Sequence, residues 1–100
     1  MSTTVELRGA AFIRDCIARW GGPGPSRYVG VTGDPQHRLF GDHGVVREVD
    51  LWAFADCGTA TTARAEESRL LRLGCRGGPG GGDQTARYLY VYRITGHTVQ

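Results

Sequence analysis

The order of apolar and polar positions divides this chain into alternating helix-like and strand-like stretches. Phe12, Ile13, Cys16, Ile17 and Trp20 recur at intervals of three and four, which predicts an amphipathic helix over residues 10–20. Upstream, Thr3 and Glu6 have the spacing of a capping box, while residues 4–8 also alternate as a short strand would, and the helical reading is preferred. GGPGPS, residues 21–26, ends the helix as a turn-rich loop. A strand follows over Arg27–Thr32. Gly33 is free to take positive φ, Asp34 can cap a helix and Pro35 suits a first helical position, so a helix is predicted over 35–40 or slightly beyond, with Gly41 and Gly44 bracketing its end.

In the second half, residues 51–55 read as a strand with Trp52 and Phe54 on one face. Thr59 caps a predicted helix over 60–73, and Gly74 ends it as a left-handed cap. Residues 74–84 form a glycine-rich loop. Over 87–95, Tyr88, Tyr90, Tyr92 and Ile94 alternate with Leu89, Val91 and Arg93, the period of a strand. The tyrosine face then either serves a site, faces outward, or packs under the first helix. The order helix, strand, helix, strand, helix, strand predicts an α+β fold, a small mixed three-stranded sheet flanked by helices. A chain of 100 residues has room for one core and one domain, 1–100.

Composition narrows the classes. All twelve basic residues are Arg and the net charge is only +2, so any contact with nucleic acid depends on local clustering. Cys16, Cys57 and Cys75 are odd in number, widely spaced and without a Cys-x-x-Cys pair, which predicts small buried apolar residues in a reducing cytoplasm and argues against zinc. No stretch has the length of a membrane span or the layout of a leader, so a soluble cytoplasmic protein is expected. The loop GGPGGGD lacks the Gly-Lys-Ser/Thr ending of a phosphate loop and reads as a connector or a place of close backbone approach.

Three positions carry chemical interest on their own. On the wheel of helix 60–73, Ala60, Ala63, Leu70, Leu71 and Gly74 cluster, with Glu67 near the centre of that face and Glu66 at its flank. A carboxylate aimed at a core needs an arginine partner, hydrogen bonds or a cation. Arg38 sits in a helical first turn, where free N–H groups and a planar guanidinium suit a phosphate, and its ordinary alternative is a surface pair with Asp42. His43 is either structural or a phosphate contact or proton-transfer group.

The stretch Tyr28-Val29-Gly30, Thr32, Asp34 and Arg38, with the Arg ten residues after the Tyr, resembles the second motif of the GIY-YIG nucleases. His43 and the Glu-bearing helix ARAEESRLL extend the resemblance to about residues 27–74. It implies a metal-dependent endonuclease that hydrolyses phosphodiester bonds in DNA, in preference to RNA, with one Mg2+ or Mn2+ ion. It further implies Glu67 as metal ligand, Arg38 as stabiliser of phosphate charge, Tyr28 as a positioner of water or the leaving oxygen, and a separate targeting protein as partner. The family's preceding Gly-Ile-Tyr strand is missing from WGGPGPSR, and the chain contains no asparagine. A permuted arrangement is therefore expected, in which the strand YLYVYRI lies beside Arg27–Thr32 and Tyr90 or a neighbour takes the first-motif tyrosine's part. The alternative is an inactive module whose exposed tyrosines stack bases or bind a protein.

Overall fold

The computed structural model describes residues 2–78 and 84–100, with side chains described from Gly9 onward. Its elements are helix α1 (Ser2–Arg19), strand β1 (Arg27–Thr32), a π-helical turn (His37–Asp42), strand β2 (Trp52–Asp56), helix α2 (Ala60–Arg72) and strand β3 (Tyr88–Arg93). β1 coincides with the expected strand, and α1 runs on through the segment whose alternation suggested a strand. The Thr3–Glu6 capping box and the centre of the glycine-rich loop, residues 79–83, lie outside what is described. Gly33 does not use the positive φ open to it. Instead the turn is closed by a side chain, the Asp34 N–H donating to Thr32 Oγ1 at 3.0 Å.

The sheet order is β1-β3-β2, and β3 pairs antiparallel with both neighbours. The expectation of a mixed three-stranded sheet is thus corrected, and the reason lies after α2. The helix carries the chain back from the end of β2, and Arg76 then pairs parallel with β1, its N–H donating to the Arg27 carbonyl and its carbonyl accepting from the Val29 N–H, both at 2.8 Å. That single bridge takes the parallel place a helical crossover normally delivers. The chain reverses once more, and β3 enters antiparallel between the other two.

A central strand must be covered on both faces, and the alternation of β3 meets that requirement. Leu89 and Val91 join Val29 and Val31 of β1, Ile13 and Ile17 of α1, and Ala63 and Leu70 of α2 in one cluster. Burying a residue such as Ile13 or Leu89, each fully covered, contributes about 1.5–3 kcal/mol. On the opposite face Tyr90 and Tyr92 cluster with Tyr28, Leu39 and Val45, flanked by Phe40, Trp52, Phe54 and Ile94. The tyrosine face therefore does not pack under α1, which covers the leucine and valine face instead.

Helix α2 is capped as its sequence predicts. The Thr62 N–H donates to Thr59 Oγ1 at 3.1 Å, and Gly74, with φ of 104°, lets the Cys75 N–H return to the Leu70 carbonyl. Its buried stripe is Ala63, Glu66 and Leu70, which corrects the wheel. Leu71, counted there as apolar core, is 39% exposed, so the centre of the buried face moves from Glu67 to Glu66. Glu66 accepts a bidentate pair of bonds from Arg14 of α1, at 2.9 and 2.7 Å, and further bonds from Arg69. Burial opposes its charge, and the two guanidiniums together still hold its carboxyl below the ordinary carboxylate range. Glu66 thus takes the structural, arginine-paired part.

Helix α1 meets the end of β2 through Gly9, where a Cβ would stand 2.4 Å from the Asp56 carbonyl oxygen. Alanine at a helix position normally gains about 1 kcal/mol over glycine. Here a backbone collision outweighs that gain, and Gly9→Ala is expected to destabilise the fold by about 1–3 kcal/mol, read as a lower denaturation midpoint in urea.

Candidate active site

The site begins with the turn after β1. Asp34 caps it, its Oδ1 accepting the His37 N–H at 3.1 Å, and Pro35 occupies the first helical position. The turn then widens: the Arg38 carbonyl accepts from the His43 N–H at 2.9 Å, one residue beyond α-helical reach, and the Leu39 carbonyl accepts from the Val45 N–H. Such π-type insertions re-aim side chains and recur at functional positions. This one buries Leu39 and turns His43 inward until it is only 3% exposed.

Inside, His43 meets three tyrosines. Its ring centroid lies 4.7 Å from Tyr28, 5.5 Å from Tyr90 and 4.9 Å from Tyr92. Its Nε2 is 2.8 Å from the Tyr90 hydroxyl, and its Nδ1 is 2.6 Å from the Val99 carbonyl oxygen and 3.1 Å from the Tyr92 hydroxyl. Burial is the largest influence on His43 and holds its pKa below the usual histidine value. The Tyr90 hydroxyl is pushed up to about 12, chiefly by burial. Burial likewise raises Tyr92.

Register explains how Tyr90 reaches this position. Gly30 stands opposite Tyr90 in the β1–β3 ladder, and a Cβ on Gly30 would lie 2.5 Å from both Cζ and Oη of that ring. The glycine of Tyr28-Val29-Gly30 is thus a seat for the Tyr90 ring. Tyr28, opposite Tyr92, stacks on it at 5.2 Å. The backbone of Gly78 closes over the Tyr28 hydroxyl, where a Cβ would come within 2.7 Å.

Arg38 pairs with Asp42 at 2.8 Å, as its ordinary reading expects, and that bond is the main cause raising its pKa. The same guanidinium acts on the Tyr90 hydroxyl, opposing the effect of burial there. Glu67 is half-buried on the flank of α2, and its charge is also felt at Tyr90. Burial raises the Glu67 carboxyl, and nearby Arg64 offsets this only in part. Tyr28, His43 and Tyr90 therefore meet in one small region, with Arg38 acting on Tyr90 from its edge, and among the described residues Glu67 makes no contact within it.

One expectation fails. Tyr28, Tyr90 and Tyr92 are buried, so the tyrosine face offers no exposed platform for stacking bases, because the π-helical turn and the segment after β3 cover it. The sequence reading also missed Tyr92 and Val99 as partners of His43, and Gly30 as the seat of Tyr90. The last was within reach once YLYVYRI was placed beside β1, since pairing a glycine opposite a tyrosine fixes who crosses whom. Cys57 and Cys75 are buried core residues and Cys16 is half-buried.

Among the described residues no group of three His, Cys, Asp or Glu side chains gathers as a metal site, and no helix is long and apolar enough to cross a membrane. Comparison with protein-family models, curated proteins and solved structures returned no match.

His43 gives the site a pH signature. Because its folded pKa lies below the ordinary value of about 6.5, the unfolded chain takes up a proton first as the pH falls. Stability is expected to drop as pH is lowered from about 6.5 towards the folded pKa, with no contribution from this group above that window. Urea denaturation across pH 5 to 7.5 reads the slope, which His43→Gln should flatten.

Proposed function

We propose that this protein is a phosphodiester hydrolase of the GIY-YIG type, in permuted form, acting on DNA in preference to RNA. The observation that carries the reading is the pairing of β3 with β1, with Tyr92 opposite Tyr28 and Tyr90 opposite Gly30. A tyrosine-bearing strand stands beside the Tyr-Val-Gly strand, where the resemblance needs one. The approach of His43 and Arg38 to the same tyrosine supports it further.

In this reading Arg38 supplies a planar set of donors to the scissile phosphate, exchanging Asp42 for the substrate oxygens. Tyr28 and Tyr90 orient the attacking water, and His43 takes part in moving its proton. Glu67 fits a hard divalent cation such as Mg2+ or Mn2+, because a half-buried carboxylate whose charge is only partly offset gains from a cation, and such ions leave positions for water and phosphate oxygens. When bound, the ion would polarise the phosphoryl oxygen and favour a nucleophilic hydroxide. A separate targeting protein completes the proposal, since a net charge of +2 gives little general attraction for nucleic acid.

Cleavage of labelled DNA in the presence of Mg2+ or Mn2+ tests this. Arg38→Ala and Glu67→Gln are each expected to lower the rate by about a hundredfold or more, with unchanged circular dichroism. Cleavage retained by both variants, or none by the unaltered protein with either metal, would reject the assignment. Separately, Mg2+ titration followed by NMR should move amide resonances around Glu67 in the unaltered protein and leave them in place in Glu67→Gln.

A further inference from the structure

We propose that the Val99 carbonyl, held over the tyrosine cluster by the segment that follows β3, fixes His43 as its Nδ1–H tautomer and thereby makes Nε2 the acceptor of the Tyr90 proton. A carbonyl oxygen can only accept. Val99 O lies 2.6 Å from His43 Nδ1, and two lone-pair acceptors do not approach that closely without a proton between them. Nδ1 therefore carries hydrogen. In the neutral ring Nε2 is then bare, and the Tyr90 hydroxyl 2.8 Å away must be the donor. The Tyr92 hydroxyl, 3.3 Å from the same carbonyl, donates to its second lone pair and leaves the imidazole bond in place.

An imidazole in water favours the opposite tautomer, with hydrogen on Nε2. That form would present a donor to Tyr90, and the tyrosine proton would have nowhere to go. The groups around the ring keep it neutral. Burial among the three tyrosines is the largest influence against a second proton and outweighs the Val99 carbonyl, which favours one, while Arg38 opposes a second proton and Asp42, which favours one, is engaged by Arg38. Val99 is thus a positioning residue, acting through His43 as the buried carboxylate of a serine hydrolase triad acts through its histidine.

The segment is anchored at both ends of its course. The Val99 N–H donates to the His43 carbonyl at 2.8 Å, tying the same two residues a second time. Thr95 and Thr98 close a turn on each other, with the Thr95 N–H 2.9 Å from Thr98 Oγ1. His97 Nε2 lies 2.6 Å from Asp50, a carboxylate 3% exposed that also accepts the Val46 N–H at 2.7 Å. The strap is therefore pinned to the loop before β2 and to the residue it orients.

The resulting transfer balances, and here the inference rests on the hydrolase reading. Tyr90 is covered in the free protein, so the transfer follows the opening of the Arg38–Asp42 pair by substrate: a water then admitted to the Tyr90 oxygen gives it a proton while the Tyr90 proton passes to His43 Nε2. The tyrosine ends neutral and the imidazole ends cationic with hydrogen on both nitrogens. The hydroxide bonds to phosphorus as the bond to the leaving oxygen breaks; that oxygen takes a proton from solvent water, and the hydroxide so formed takes the extra proton back from the imidazolium through Tyr90.

The tautomer has its own readout. In 15N NMR of the unaltered full chain, His43 is expected to show a protonated Nδ1 and a bare Nε2 at pH 7.5. Val99→Pro removes the N–H that ties the strap to His43, and His97→Ala removes the distant anchor without touching the site. Both are expected to shift His43 towards the Nε2–H form, and cleavage should fall by about a hundredfold in Val99→Pro. If Val99→Pro does not fold, His97→Ala decides. An unaltered protein with hydrogen on Nε2, or a His43 tautomer unmoved by both substitutions, overturns the inference, as does a shifted tautomer with unchanged cleavage. If the tautomer shifts as expected but the unaltered protein cuts no phosphodiester, the hydrolase reading fails while the control of His43 by Val99 stands.

Discussion

Everything in this molecule depends on the insertion of β3 between β1 and β2. A strand with hydrogen-bonded neighbours on both edges and side chains buried on both faces can tolerate little polar character, and YLYVYR meets that limit with alternation. Leucine and valine serve the face under the helices, and tyrosine rings serve the other. The tyrosines bring hydroxyl groups into a covered space, and each such group needs a partner. His43 and the Val99 carbonyl answer that need for Tyr90 and Tyr92.

The same pairing explains why the Tyr-Val-Gly segment has its composition. Tyr28 stacks on the cross-strand Tyr92, and Gly30 yields space to Tyr90, so two of its three residues are set by rings contributed from the far end of the chain. Arg38 and His43 diverge from one widened helical turn, the arginine remaining part-exposed beside Asp42 and the histidine pointing inward. Two chemically different groups are in this way delivered to one tyrosine from a segment of only six residues, His37–Asp42, and its cap.

Much of this was legible in the residues because it was local. The caps of α2 at Thr59 and Gly74, the limits of β1 and the two faces of β3 follow from side-chain chemistry and period alone. What was not legible depended on long-range placement. The parallel bridge at Arg76 has no periodic signature, being one residue long, so the sheet was expected to be mixed among its three strands. Leu71 is apolar yet exposed, and counting it as core exchanged the places of Glu66 and Glu67 on the helix face. Whether the tyrosines are exposed or covered turned on the π-helical turn and on residues 95–99, neither of which carries a pattern that announces where it will lie.

The placement of β3 also sets the order in which the fold can be assembled. β1 and β2 have no ladder contact with each other, and each meets its sheet neighbour only in a strand that comes after both in the chain. The sheet is built entirely from distant pairings such as Tyr28 with Tyr92, which carry a large loop-closure cost before any reward is collected. A chain emerging from the ribosome would leave β1 and β2 without a ladder partner until β3 arrives. The tyrosine cluster, which takes Tyr90 and Tyr92 from β3, is complete only once that strand closes the sheet.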